Sequence, residues 1–410
     1  MAWFRRFLLL TLGFGHIIAG PTRNIPAQTY EQCQKRTANP LEGCPSGTIY
    51  VSQTDERAGF QTIQGAISSL SNDTTPHIIL IAPGIYTEQL NVTRQGPLTL
   101  LGVSDRPSHG EIYADIGYDS AHENDAQIYW NSANHDAIFS DNVYTGVLTV
   151  GPNLNATLTG SGPTGFPVSD DTPFGCTDFR AYNIDFRNEY TPYSNGPAHA
   201  VGVSRANAGF YSCGFYSWQD TVYIGKLGNA YFYDTVVAGQ TDFLYGFGTL
   251  FIERSSLSLR NCGGGITAWK GTNTTFANKY GVYIANSRIL AANSTIAPTI
   301  TDRCSLGRPW NELHRSLIMD TYFDPSVLSA GYTEWAGQPN GRIGVNTTMA
   351  VYKVFGPGYN VGAEKASNIT KVFTKKEAEP FRRPADVFMT PEGKKPNINW
   401  IDASVLLSNR

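Results

Sequence analysis

The chain has little charge for its length. Asp, Glu, Lys and Arg make up 16% of its 410 residues, and the formal net charge is −3. No basic stripe is present that could track a phosphate backbone, so a nucleic-acid partner is not expected. The densest cationic cluster, Lys375 and Lys376 to Arg382 and Arg383, is diluted by Glu377 and Glu379 and reads as a solvated face. Cysteine is sparse, with six in the chain and none in a Cys-x-x-Cys pair. Without such spacing, and without a clustered acidic set suited to calcium, no metal site and no cofactor are expected. Beyond the N-terminus no apolar run reaches transmembrane length, so no membrane span is expected. Asn-Gly hairpin signals do not recur, which counts against an antiparallel sandwich.

What is present points to a turn-dense, all-β chain. Apolar residues account for 41% of the sequence, enough for a substantial core, and glycine alone numbers 41. At the N-terminus, Arg5 and Arg6 precede a short apolar run, and small residues follow at Ala19 and Gly20. This is the pattern of a secretory signal over residues 1–20, leaving residues 21–410 as a single domain. Removing the signal deletes two arginines and no acid, so the mature chain is more acidic. Seven Asn-x-Ser/Thr sequons, at Asn72, Asn91, Asn155, Asn273, Asn293, Asn346 and Asn368, fit a glycosylated extracellular protein. In that setting Cys33 and Cys44 are placed to close a short loop. The pairing of Cys176, Cys213, Cys262 and Cys304 cannot be deduced from spacing.

Residues 21–48 read as irregular. Phe60, Ile63, Ala66 and Ile67 recur with helical period, and a helix there would cap the end of a repeat stack. Strand–turn–strand patterns begin at His77, while residues 104–175 read as a loop-rich excursion beside the stack. Then a repeat appears. Segments from Phe179 to Ile184, Phe210 to Phe215, Phe232 to Val237, Ile252 to Leu257, Ile284 to Ile289 and Ile318 to Phe323 share an apolar residue, four mixed positions and a second apolar residue. Their starts are spaced by 31, 22, 20, 32 and 34 residues. A period near 20 with longer insertions predicts a parallel β-helix, a solenoid of short strands joined by turns and long loops. The tail, from a strand near Met349 to Asp402, is expected to brace the stack.

The repeat gives two aspartates a relationship. Asp220 lies ten residues after Phe210, and Asp242 ten residues after Phe232. Equivalent positions on successive coils stack about 4.8 Å apart. Two carboxylates that close cannot both ionise cheaply, so one becomes a proton donor while the other remains a nucleophile or base.

Residues 84–88 (Gly-Ile-Tyr-Thr-Glu), Gln219-Asp220-Thr221, Asp242 to Gly246, and Leu306-Gly307-Arg308-Pro309-Trp310 occur in the order and spacing of the signature motifs of pectin methylesterases. The chain resembles that family over roughly residues 48–402, and is most similar to the compact, fungal-type secreted form. The resemblance implies a single-stranded right-handed parallel β-helix that acts, as a monomer, on methyl-esterified homogalacturonan (pectin). It also implies roles: Asp242 as nucleophile, Asp220 as acid and then base, Gln219 as donor to the oxyanion, and Arg308 as a clamp on Asp242. Trp310, Tyr223 and Phe243 would offer faces to sugar rings. One position departs from the pattern. His199 stands where many members carry a second oxyanion glutamine, and its neutral imidazole is a candidate replacement donor. Two other readings remain at this point: another β-helix polysaccharide enzyme, a lyase or glycosidase, and a cell-wall binding protein with weakened or no activity.

Overall fold

The computed structural model describes residues 27–107, 123–135, 138–160, 165–169, 171–271, 279–337, 342–390 and 393–407. The expected signal segment and the sequon at Asn273 lie outside those residues. The chain winds through three parallel sheets of eleven, eight and six strands. One turn of the winding runs from Asn207–Tyr211 in the first sheet to Gly214–Tyr216 in the second and Val222–Ile224 in the third. The next turn repeats it with Asn229–Tyr233, Val236–Thr241 and Leu244–Gly246. The register is one residue to one: Phe210 pairs with Phe232, Phe215 with Val237, and Val222 with Leu244. This is the parallel β-helix that the repeat predicts.

The repeated segment is the corner between the first two sheets. From Phe210 onward its first apolar residue is the last but one of a first-sheet strand, and its second lies in the next sheet. Between them one residue takes a left-handed backbone: Ser212, Asp234, Arg254, Asn286 and Asp320 all have φ between 45° and 54°. That conformation costs an L-residue about 1–2 kcal/mol, least for Asn and Asp, so the interior on either side must hold it in place. It does so with ladders of like side chains, including Phe215 stacked on Phe232 at 4.5 Å and on Phe186 at 5.6 Å. One segment corrects the sequence reading. Phe210 pairs with Ala181, not Phe179, so the true repeat on that coil starts two residues later.

Residues 104–175 also differ from expectation. Among the described ones, Ala126–Tyr129 joins the second sheet and Leu148–Val150 the third, completing a coil begun by Leu98–Gly102, so this part belongs to the stack. Strands this short, set among long insertions, carry too few alternating positions to register as a pattern. Of two helices near the N-terminal end, one closes the stack and the other packs on the outside of the first sheet. The expected one spans Ile63–Ser68 and buries Ile63, Ala66 and Ile67 against the interior. Its first amides, on Ile63 and Gln64, donate to the Glu88 carboxylate at 2.9 and 2.8 Å, which gives the 84–88 motif a structural task. The other helix, Ala27–Gln34, lies where the sequence reads as irregular.

Along the outside of the first sheet runs a second apolar cluster built from Tyr182, Tyr211, Tyr231 and Tyr283. The tail covers it, as expected. Trp400 and Ile401 pack there, the Tyr182 hydroxyl donates to Asp402 Oδ2 at 2.8 Å, and the Asp402 amide donates to Tyr211 Oη at 2.7 Å. Disulfides join Cys33 to Cys44 and Cys262 to Cys304. Cys176 and Cys213 are free but buried, and burial pushes both thiols up to about 12, which makes them inert. Among the described residues no helix is long and apolar enough to cross a membrane, and no cluster of three or more His, Cys, Asp or Glu side chains could hold a metal ion.

Candidate active site

Asp220 and Asp242 occupy the corner between the second and third sheets, each two residues before a third-sheet strand. Strand pairing puts them on successive coils in the same column: the Asp220 amide donates to Thr241 O, and the Asp242 amide donates to Gly265 O. Both have a left-handed backbone, with φ of 58° and 47°. Strain of this kind persists only where the surroundings over-determine it, and it concentrates at functional sites. Both side chains are nearly sealed from solvent, at 5% and 3% exposure, so burial raises both carboxyl groups above their ordinary range.

The two differ in what faces them. Arg308 Nε donates to Asp242 Oδ1 at 2.9 Å and Nη2 donates to Oδ2 at 2.7 Å, a two-pronged clamp. The Gly265 amide adds a third bond to Oδ1 at 3.2 Å. Asp220 has no such clamp, and the neighbouring Asp242 charge raises it further, against weaker opposition from Lys270 and Arg308. Desolvation acts on both, but the like charge beside Asp220, and the clamp on Asp242 alone, push Asp220 further above its ordinary range than Asp242. Gly264, at φ +64°, makes room for the clamp. A Cβ there would lie 2.5 Å from Asp242 Oδ1 and 2.8 Å from Arg308 Nη2.

The remaining expected residues separate. Gln219 is partly exposed beside Asp220, and the Ser194 hydroxyl donates to its Oε1 at 2.9 Å, leaving the amide N–H groups as the free-facing end. Trp310 is half-buried at the site and meets Trp335 edge-on at 5.1 Å. Phe243 is a correction. It is fully buried in the interior cluster and packs against Gly239, so it offers no face to a sugar. The left-handed turn at Asp242 sends the next side chain inward. Tyr223 is also corrected. It points outward from the third sheet but is only 1% exposed, covered where its hydroxyl donates to Leu158 O at 3.4 Å.

His199 shares the column of the aspartates, since Val201 pairs with Val222. Its ring is fully buried, stacks on Tyr223 at 5.7 Å and shares a short hydrogen bond from Nε2 with the Tyr245 hydroxyl. Burial pushes its pKa down to about 4, so the ring is neutral. Sealed from solvent, the ring has Nε2 engaged by Tyr245 while Nδ1 has no partner among the described residues.

Sequence reasoning missed three residues. Trp335 lies against Arg308, with the guanidinium carbon 3.7 Å from the ring centroid, and Arg342 covers Trp335 from 4.2 Å. Lys270, 1% exposed, lies behind Trp310. Trp335 and Arg342 come from connections after the coil of Arg308, and no local spacing links them to the aspartates.

A coil-stacked carboxylate pair, one member clamped by arginine, beside a tryptophan pair on a parallel β-helix, is an arrangement suited to hydrolytic chemistry. Residues 164–388 match the family model described as Pectinesterase. The chain belongs to the pectinesterase family, whose members are carboxylic ester hydrolases. It is 26% identical to "Probable pectinesterase A" of Aspergillus niger, over 79% of this chain and 83% of that one. It is 30% identical to "Pectinesterase 31" of Arabidopsis thaliana over 45% of this chain, and spans only 56% of that relative. Among solved structures, the deglycosylated pectin methylesterase from Aspergillus niger superposes with a TM-score of 0.60 at 22% identity, covering 81% of this chain and 91% of that one. The carrot enzyme superposes with a TM-score of 0.61 at 19% identity, covering 90% and 97%. These likenesses give the fold as a right-handed parallel β-helix. A pectin methylesterase solved in complex with a hexasaccharide also superposes, with a TM-score of 0.60 at 21% identity, covering 84% of this chain and 98% of that one.

Proposed function

We propose that this protein is a secreted, monomeric pectin methylesterase that hydrolyses C6 methyl esters of homogalacturonan and releases methanol. The supporting observation is the asymmetry of the buried pair: Asp242 is held in the Arg308 clamp, while Asp220, unclamped one coil away, is pushed well above its ordinary range by burial and the Asp242 charge. Asp242 attacks the ester carbonyl, and the oxygen takes up negative charge as the carbon becomes tetrahedral. The Gln219 amide donates to that oxygen. As the tetrahedral carbon collapses, the C6–OCH3 bond breaks, Asp220 gives its proton to the departing oxygen, and methanol leaves an acyl anhydride on Asp242. Water then attacks the same carbonyl, Asp220 takes one of its protons, and the free uronate departs with Asp242 restored. Trp310, backed by Trp335, is the flat surface for a sugar ring. His199 and Tyr223 hold Tyr245 in place beneath the site. Residues 1–20 serve as the secretory signal and the remainder folds as one domain.

The test is methanol release from highly methylated pectin by the purified protein. Stoichiometric methanol and carboxylate with no unsaturated product supports the reading. Unsaturated uronide would make it a lyase, and binding without methanol would make it a wall-binding protein.

A further inference from the structure

The tail covers the outside of the first sheet, but the outside of the second holds a cavity of about 550 Å³. Its floor is Tyr216, Val236 and Ala238, an apolar cluster separate from the main core. Glu189 to Pro192, at the start of the link that follows Arg187, line one part of it. Trp218, which directly precedes Gln219, lines another. Arg260 ties these parts together: its Nη2 donates to Glu189 Oε1 at 3.0 Å, and its guanidinium carbon lies 5.0 Å from the Trp218 ring centroid. Tyr190 leaves 39% of its surface exposed. Aromatic walls with a few fixed polar groups are the usual form of a small-ligand site.

Asn293 also lines the cavity. Asn293-Ser294-Thr295 is one of the seven sequons, and it follows the strand Arg288–Ala291 in a turn whose Ser294 and Thr295 are exposed. The Ile296 amide donates to Asn293 Oδ1 at 2.8 Å, which leaves the side-chain nitrogen for a covalent bond. Asn72, Asn91, Asn155, Asn346 and Asn368 line no part of this cavity.

We propose that Asn293 carries an N-linked glycan whose first sugar rings lie in the cavity against Trp218 and Tyr190. The inference rests on the reading of the chain as secreted. In the attachment, the Asn293 amide nitrogen loses one proton to solvent and bonds to C1 of N-acetylglucosamine. The C1–O bond to a lipid pyrophosphate donor breaks, and the pyrophosphate leaves with the electron pair. Glu189 and Arg260 supply hydrogen-bond partners for the hydroxyl and acetamide groups of the sugar. Seated this way, the glycan joins the 189–192 segment to the second sheet. Two residues further along that link, the Ser194 hydroxyl donates to Gln219 Oε1 at 2.9 Å. The glycan therefore steadies, from outside, the support of the amide that faces the ester.

The test uses the full chain secreted from a eukaryotic host. Peptide mass spectrometry reads sugar at each sequon, and peptide-N-glycosidase is applied to native and to denatured protein. The expected result is a modified Asn293 whose glycan is released from native protein at least about tenfold more slowly than a glycan on the exposed Asn72 or Asn155, because the seated sugar must first leave the cavity. Denaturation should equalise the rates. Trp218→Ala should speed release at Asn293 and leave the other sequons unchanged. If that variant does not fold, Tyr190→Ala reads the same release. A bare Asn293 on a protein glycosylated elsewhere overturns the proposal and leaves the secretory reading standing. Native release at Asn293 as fast as at the exposed sequons also overturns it. Sugar on no sequon at all overturns it too, and takes the secretory reading with it.

Discussion

Replacing Gly264 with alanine isolates the clamp from the rest of the fold. The added Cβ would sit 2.5 Å from Asp242 Oδ1, 2.8 Å from Arg308 Nη2 and 2.9 Å from Arg308 Cζ, so the carboxylate and guanidinium must part. Losing one charge-assisted hydrogen bond of the pair costs about 1.5–3 kcal/mol. At about 1.4 kcal/mol per factor of ten, that is roughly ten- to a hundredfold in kcat/KM, and a nucleophile displaced by about 1 Å can lose a hundredfold on its own. Gly264 also has φ +64°, so alanine adds backbone strain of about 1–2 kcal/mol. Gly47 supplies the control. Its φ is +83° and nothing lies within 4 Å of the place a Cβ would take, so Gly47→Ala carries the strain without the clash. Methanol release and thermal melts of the two variants separate the effects. Both should melt a few degrees lower, at roughly 2 °C per kcal/mol for a chain of this size. Only Gly264→Ala should lose activity. If its rate stays within about threefold of wild type, the Asp242–Arg308 geometry does not set the rate.

Other changes have equally definite outcomes. Asp242→Asn should abolish methanol release by several orders of magnitude while the protein still folds, since an amide is no nucleophile. Arg308→Lys should also be severe, because a point charge cannot reproduce a two-pronged clamp, and a near-normal rate would make that arginine structural. Glu364, buried in the helix Val361–Ser367 with Oε2 unpartnered, is raised from its ordinary 4.5 to about 7 by burial. The folded state therefore holds a proton that the unfolded chain has released, and stability falls as pH rises from 4.5 towards 7. Melting curves across that interval should flatten in Glu364→Gln; an unchanged slope would clear Glu364 of the penalty. Asp402→Ala strands the Tyr182 hydroxyl and should cost about 1–3 kcal/mol of stability without changing kcat. A lower kcat at an unchanged melt would contradict the bracing role of the tail.

The winding was legible because the corner between the first two sheets repeats in the sequence. Its apolar residues face the same interior on every coil from Phe210 to Phe323, and the 22-residue step from Phe210 to Phe232 stacks the two aspartates without further help. The slip at Phe179 has a simple cause: an aromatic two residues early mimics the repeat, and only pairing with Ala208 reveals the offset. Phe243 misleads because strand alternation does not run through a left-handed turn, so the neighbour of Asp242 points into the core. His199 was placed in the correct column, but nothing in its spacing says that Tyr245 takes its Nε2. Lys270, Trp335 and Arg342 reach the site by tertiary packing alone, and such contacts leave no periodic trace.

The coil between the aspartates is a ruler as well as a wall. Its two ends are fixed rung to rung, at Val222 against Leu244 and at Phe210 against Phe232, so its residue count cannot drift. One extra residue inside it would have to bulge, or would turn every later side chain to the opposite face. The connections on either side are not bound in this way. The link from Arg187 to Val201 already runs long, and it borders the site through Ser194 without setting the spacing of the pair. Lineages of this fold can therefore lengthen, shorten or redecorate the surroundings of the pair while the distance between Asp220 and Asp242 stays the same. Variation in what is bound and constancy in what is done to it are assigned to different parts of the chain.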